Sequence, residues 1–340
     1  MKENNFIIIG GAGYVGSHLA HYLKEQGKNP IIIDDLSTGF AKSVAGLQFI
    51  EADYRNQSIM RAVIKQHNPQ AIFHMASRSL VAQSVRDPAI YYHDNVAGML
   101  QLLEVMRDFP DVSLIFSSTA AVFGNPEYLP IDENHPKHPI NPYGKSKLMI
   151  EQILADYHVA YGLRYGVLRY FNAAGAAIDA SNGESHIPET HLIALIMQAA
   201  SGRLAQLQIY GNDYPTLDGT ALRDYIHVVD LANAHLLLAD KLRQSSQQSS
   251  NSCAEPLIYN LGSGCEVSVW QALQTAEKIT RQITGRNIPY AMLPRRAGDP
   301  YALIADGAKA KAELGWVPIL SNIETIISHA WNWEKKVCGI

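Results

Sequence analysis

Phe6-Ile7-Ile8-Ile9-Gly10-Gly11-Ala12-Gly13-Tyr14-Val15-Gly16-Ser17-His18 follows a short polar stretch, Met1–Asn5, at the head of the chain. An apolar run of strand length passes directly into glycines, and apolar residues at helical spacing then cover Ser17–Gln26. The glycines fit both Gly10-x-x-Gly13-x-x-Gly16 and Gly11-x-Gly13-x-x-Gly16. A tight strand-to-helix turn calls for positive φ, and a side chain there would keep the backbone from a pyrophosphate at the positive end of the helix. By itself such a run can be only a turn. Its context points further, because Asp34 follows Gly16 by eighteen residues, at the end of the second apolar run. A carboxylate there can hydrogen-bond the adenosine ribose of a dinucleotide. Asp35 adds negative charge where the extra phosphate of NADP would sit, so NAD is the expected cofactor.

Outward from this turn, short apolar runs alternate with amphipathic stretches. Phe6–Ile9, Pro30–Ile33, Leu47–Ala52, Ala71–His74, Ser113–Ser117 and Arg164–Arg169 read as strands. Ser17–Gln26, Ile59–His67, Ala97–Arg107 and Ser146–Tyr161 read as helices. Strand and helix in alternation predict an α/β, Rossmann-type doubly wound parallel sheet. Beyond Asn172, Gly, Pro, His and Asp become frequent, with helices at Leu192–Ser201 and Val229–Lys241 and a strand at Leu257–Leu261. The expected division is a dinucleotide-binding domain over residues 1–172, rejoined by some later segments, and a smaller substrate-binding lobe over 173–340. Gln244–Ser252 (QSSQQSSNS) reads as a surface loop.

Composition narrows the function classes. Lys and Arg number 28 against 32 Asp and Glu, a net charge of −4, which disfavours nucleic acid as a partner. Cys253, Cys265 and Cys338 are too few and too scattered for a disulfide framework or a zinc knuckle. No signal peptide and no membrane-spanning run is evident, so a cytoplasmic enzyme is expected. With no HxH or HExxH spacing, no metal site is expected, and His18, His74 and His227 read as packing or hydrogen-bonding residues.

Asn141-Pro142-Tyr143-Gly144-Lys145-Ser146-Lys147 opens a helix and puts Tyr143 and Lys147 on one face. A phenol titrates near pH 10 and is a poor base at neutrality. A neighbouring ammonium, together with the positive charge of an oxidised nicotinamide, would lower its pKa. Ser117-Ser118-Thr119 ends a strand at the carboxyl edge, where ligands of such sheets bind, and a hydroxyl there can relay a substrate proton to Tyr143. Each feature alone has a plainer reading, as a surface pair or a capping turn. Asp53, after the strand Leu47–Ala52, reads either as an adenine contact or as a helix N-cap.

Taken together the motifs resemble the extended short-chain dehydrogenase/reductase superfamily, and within it the NAD-dependent epimerase/dehydratase family and its UDP-glucose 4-epimerases. The resemblance spans nearly the whole chain: Gly10–His18, Ser117–Gly124, Asn141–Lys147, Arg169–Gly175, Gly211–Val228 and Pro294–Asp299. The GNDYPTLDGTALRDYIHV stretch is its most specific part. By position, the resemblance implies NAD contacts from Tyr14, Val15, Asp34, Asp35, Leu36, Ser37, Thr38 and Gly39. It extends these to Asp53, Tyr54, Met75, Ala76, Ser77, Ser79 and Asn95. Thr119, Tyr143, Lys147 and Phe171 fall at the nicotinamide end. For a UDP-sugar it implies Asn172, His191, Leu192, Gln208, Tyr210, Arg223, Arg296 and Asp299, besides Thr119 and Tyr143. Two arginines suit a diphosphate and Asp299 suits ribose hydroxyls. Some members carry lysine where this chain has Ser79, and many carry serine where it has Thr119. Leu303 falls where the family limits room at the sugar 2-substituent, and its intermediate bulk leaves N-acetylated sugars open.

The implied reaction interconverts UDP-glucose and UDP-galactose, a step of galactose metabolism, through a 4-keto sugar that turns about its diphosphate link. Tyr143, Thr119 and Lys147 are the catalytic candidates, and the family implies a homodimer. Its contact helices would be Ala97–Arg107 and Ser146–Tyr161, which equally suit packing inside one subunit. Sugar-nucleotide dehydratases need an acid/base pair after the strand-end hydroxyl, and Ala120-Ala121 supplies none. Epimerases of UDP-N-acetylglucosamine, UDP-glucuronate or UDP-xylose share nearly every motif. A non-catalytic NAD sensor would not need Tyr143, Lys147 and Thr119 together.

Overall fold

Five residues, Asn5–Ile9, form β1, and every one of them is buried in the computed structural model. The structure describes residues 4–248, 256–296 and 298–340. Around β1 lie β2 (Asn29–Asp34), β3 (Gln48–Glu51), β4 (Ala71–His74), β5 (Ser113–Thr119), β6 (Tyr165–Tyr170) and β7 (Leu257–Leu261). All pair in parallel, in the spatial order β7-β6-β5-β4-β1-β2-β3.

Side chains alternate across a strand, and both faces of this sheet are covered, which is why the strands read as unbroken apolar runs. Phe6, Ile8, Ile32, Phe73 and Ile115 pack against Leu19, Leu23, Leu231, Leu238 and Trp316 on one face. On the other, Ile7, Ile9, Ile33, Leu114 and Val167 meet Met60, Ile64, Leu102, Leu103, Ile150 and Leu154. The doubly wound sheet expected from the sequence is the one observed.

The second core joins three helices, Leu192–Ser201, Val269–Thr284 and Ile323–Cys338, through Ile196, Leu273, Ala276, Ile327 and Trp331. A short parallel ladder, Leu207–Tyr210 with Tyr290–Leu293, closes it. The sequence reading delimits only the first of these helices. The helix expected at Val229–Lys241 runs over Val228–Gln248 and takes in the first half of the polar segment. Leu236, Leu238, Ala239 and Leu242 anchor it to the main core, and glutamine sustains helix well enough to carry it on. The rest of that segment, with Cys253, lies outside the described residues. No helix among the described residues is long and apolar enough to cross a membrane.

Candidate active site

The turn after β1 uses its glycines for three different purposes. Gly10 has φ +77, and a Cβ there would lie 2.4 Å from the Ala76 nitrogen. A Cβ on Gly16 would lie 2.3 Å from the Gly10 oxygen, so the helix Tyr14–Glu25 could not approach its strand. Gly13 needs neither exemption. Its φ is −76, and a Cβ would meet only the Gly10 oxygen at 3.5 Å. Positive φ is thus required at Gly10 alone, and the space Gly13 leaves open belongs to the adjoining cleft.

That cleft, about 380 Å³, is lined by Gly10, Gly13, Tyr14, Val15 and Gly16, then Asp34, Asp35, Ser37, Thr38 and Tyr54 along its length. Met75 to Ser79, Asn95, Thr119, Tyr143, Lys147 and Phe171 also line it. Leu36, Gly39 and Asp53, also expected there, are not on its wall. Asp34 ties the turn together, accepting from Ala12 N and Leu36 N at 2.9 Å each. Asp53 is engaged by Arg55, which donates to it from backbone and guanidinium and holds its carboxyl below the usual range. The helix N-cap is Asn56 rather than Asp53, with Oδ1 accepting from Ser58 N and Ile59 N. Arg78 pairs with Asp94 at 2.8 Å while its backbone N donates to Asn95 Oδ1. Asn95 sits in a single π-helical turn, Tyr92–Ala97, a device that re-aims one side chain.

The reactive groups converge at the end of β5. Asn141 caps the helix Pro142–Tyr161 through Gly144 N, and a Cβ on Gly144 would lie 2.4 Å from the Ala121 oxygen. That close approach brings the Tyr143 phenol near the Thr119 hydroxyl, which acts to lower its pKa. One turn on, Lys147 Nζ donates to Ser117 O at 2.8 Å. The sequence predicts that Lys147 lowers the Tyr143 pKa, and here the structure differs. Burial pushes the phenol up to about 12, only partly opposed by Thr119, and burial pushes Lys147 down to about 7. A buried ammonium near half-protonation, turned onto a carbonyl, is not the strong cation the spacing suggested.

A second cavity of about 180 Å³ shares Tyr14, Asn172, Ala173 and His191 with the cleft. Leu192, Gln208, Tyr210, Arg223, Arg296 and Asp299 line it. Asp299 pairs with both Arg223 and Arg296, and the Arg296 guanidinium lies 4.7 Å from the Tyr210 ring centre. One carboxylate thus offsets one of two guanidinium charges, leaving net positive charge for a phosphate. Leu303 lines neither cavity; it packs with Phe123, Ile131 and Phe171.

Residues 6–262 match the NAD dependent epimerase/dehydratase family. The chain belongs to that family. Among relatives, a UDP-glucose 4-epimerase of Halalkalibacterium halodurans is 43% identical, covering 97% of this chain and 95% of its own. The crystal structure of a UDP-glucose 4-epimerase from Brucella ovis in complex with NAD is 46% identical. It covers 97% of this chain and 98% of its own at a TM-score of 0.90. The corresponding enzyme from Bifidobacterium longum, in complex with NAD⁺ and UDP, is 36% identical and covers 98% of each chain at a TM-score of 0.89. For a member of the epimerase/dehydratase family, the open space over Gly13 and the carboxylates at the end of β2 fit a dinucleotide such as NAD.

Sequence reasoning missed Arg55, Asp94 and Tyr170, because the pairing of Arg55 with Asp94 and of Tyr170 with Ser117 joins residues far apart along the chain. It also missed Glu184 and His186, although Glu184-Ser-His186 and Glu189-Thr-His191 repeat one pattern that could have drawn notice.

Proposed function

We propose that this chain is an NAD-dependent epimerase that interconverts UDP-glucose and UDP-galactose by oxidising and re-reducing sugar C4. The observation that carries the reading is the meeting of Thr119, Tyr143 and Lys147 in one cleft, sharing a wall with the Arg223/Arg296 pocket. NAD, when bound, supplies the hydride acceptor and a positive ring charge that favours a phenolate nearby. Gly10, Gly13, Gly16, Asp34 and the Met75–Ser79 turn hold it. Tyr143 takes the proton of the 4-hydroxyl, with Thr119 positioning both oxygens, and returns it to the same oxygen when C4 is reduced again on its other face. Lys147 Nζ, held on Ser117 O one turn from Tyr143, keeps an amine that titrates near neutrality beside the reacting groups. Asn172, His191, Leu192, Gln208, Tyr210, Arg223, Arg296 and Asp299 grip UDP, so the hexose can turn while the nucleotide stays fixed. Residues 1–172 with β7 form the cofactor domain, and 173–340 mainly the UDP-sugar lobe. Unpaired Cys265 and Cys338 suit a reducing cytoplasm. Exposed Met149 and Tyr161 on the helix Pro142–Tyr161 suit a homodimer contact.

The test is turnover of UDP-galactose, with UDP-glucose formation coupled to its dehydrogenase, beside UDP-N-acetylgalactosamine and UDP-glucuronate. UDP-galactose is expected to be the best substrate, and Tyr143→Phe to lose roughly a thousandfold in kcat while still carrying NAD. No turnover by the NAD-loaded protein, or full activity in Tyr143→Phe, overturns the reading.

A further inference from the structure

Between the cleft and the second cavity runs a wall built from residues 184–191. Glu184, His186, Glu189 and His191 each offer one nitrogen or oxygen there, and all four atoms lie within 4.8 Å of one another. The two carboxylates are deeply buried, with side-chain exposures of 8% and 4%. Each nonetheless leaves one oxygen without a hydrogen bond, Oε2 of Glu184 and Oε2 of Glu189. Among the described residues, no ion-pair partner reaches Glu184 Oε2 apart from His191 Nδ1 at 3.3 Å. His186 Nδ1 approaches Glu184 Oε1 to 2.5 Å, yet the two form no hydrogen bond with each other. Buried polar atoms are normally paired, and a buried carboxylate oxygen left bare costs on the order of 1–3 kcal/mol. The charges acting most on Glu184 are just the two imidazoles.

We propose that Glu184, His186, Glu189 and His191 form a zinc site that fastens the wall between the two cavities. Two imidazoles and two carboxylates are a donor set suited to a first-row divalent ion. With bonds near 2.1 Å, tetrahedral ligand atoms stand roughly 3.4 Å apart, inside the span observed. The segment is already anchored at its back, since Trp333 Nε1 donates to Glu184 O at 3.0 Å and Asn182 donates to Ser17 Oγ at 2.8 Å. Zinc would satisfy the bare oxygens at its front and fix His191 where both cavities meet. The role of the ion is structural, to hold the wall that carries His191 between the two cavities.

The full chain, stripped with a chelator, is dialysed against zinc alone and its metal content measured. About one zinc per chain is expected, with a raised melting temperature. Glu184→Gln and His186→Asn are each expected to weaken zinc binding by roughly a hundredfold or more, beyond what outer-shell changes cause. Cobalt(II) added to the unaltered protein tests the ligands without substitution, even if both variants misfold. The intense visible absorption of a four-coordinate site supports the proposal. Absence of stoichiometric zinc, binding unchanged in folded variants, or the faint spectrum of six-coordinate cobalt overturns it.

Discussion

Gly13 and Gly16 stand three residues apart in one turn, yet they lack side chains for unrelated reasons. At Gly16 the obstacle is the protein's own backbone, 2.3 Å from where a Cβ would be. At Gly13 no protein atom comes closer than 3.5 Å and φ is ordinary. An alanine at each position should therefore separate folding from cofactor binding. Gly16→Ala is expected to cost about 3 kcal/mol or more, seen as a large fall in melting temperature or insoluble protein. Gly13→Ala should keep the melting temperature of the NAD-free protein while its NAD affinity falls roughly tenfold to a hundredfold. Thermal melts and NAD titration of both variants, freed of NAD, check this. A destabilised Gly13→Ala would mean that the turn, not the ligand, dictates glycine there. The spacing showed that glycines were wanted; only the packing around each one says by what.

The helix Pro142–Tyr161 carries the reactive pair, and its face was readable because Tyr143 and Lys147 are four residues apart. What holds it was not readable. Glu151, one turn beyond Lys147, accepts from Ser118 Oγ at 2.5 Å and from Arg169 at 3.0 and 2.6 Å. Those partners stand on β5 and β6, so the anchor is visible only once the sheet has formed. Arg169 is 2% exposed, and Glu151 is its sole ion-pair partner among the described residues. Removing one member of such a pair leaves a buried charge uncompensated, whereas removing both is often close to neutral. Glu151→Leu is expected to destabilise by roughly 3–5 kcal/mol, and the double variant Glu151→Leu/Arg169→Met to recover most of it. Urea unfolding of the two variants measures the difference. Equal stability of single and double variants would show that the helix is held by its apolar face alone.

Across the whole molecule, the sheet was legible because both its faces are covered and each strand is a continuous apolar run. The second lobe was not, because its core joins Leu192–Ser201 to Ile323–Cys338, more than a hundred residues on. Its pairing strands, of two to four residues, are too short to show a period. The same burial that makes the interior legible also makes it acid-sensitive. His18 and His235 are pushed down to about 4, and His74 and His227 to about 3, chiefly by burial. An unfolded chain protonates these rings near pH 6.5, and the folded one refuses the proton until far lower. Their contribution is therefore flat above pH 6.5, and stability falls with acidity from 6.5 toward 4. Buried Asp34, Asp224 and Asp230, whose pKa values are raised, act the opposite way, but only as the pH nears the carboxylate range. Between pH 6.5 and 5 the histidines dominate, each weakening the fold by up to about 2 kcal/mol. His74 isolates the effect, since neither ring nitrogen has a hydrogen bond. Its ring packs 5.0 Å from Tyr54 and 6.0 Å from Phe116, and the Lys147 charge adds to its resistance. His74→Phe keeps a planar ring there and removes one site that must be held neutral. Urea midpoints at pH 6.5 and 5 should therefore lie closer together in the variant than in the parent chain. An unchanged gap would place the acid sensitivity elsewhere than in the buried imidazoles.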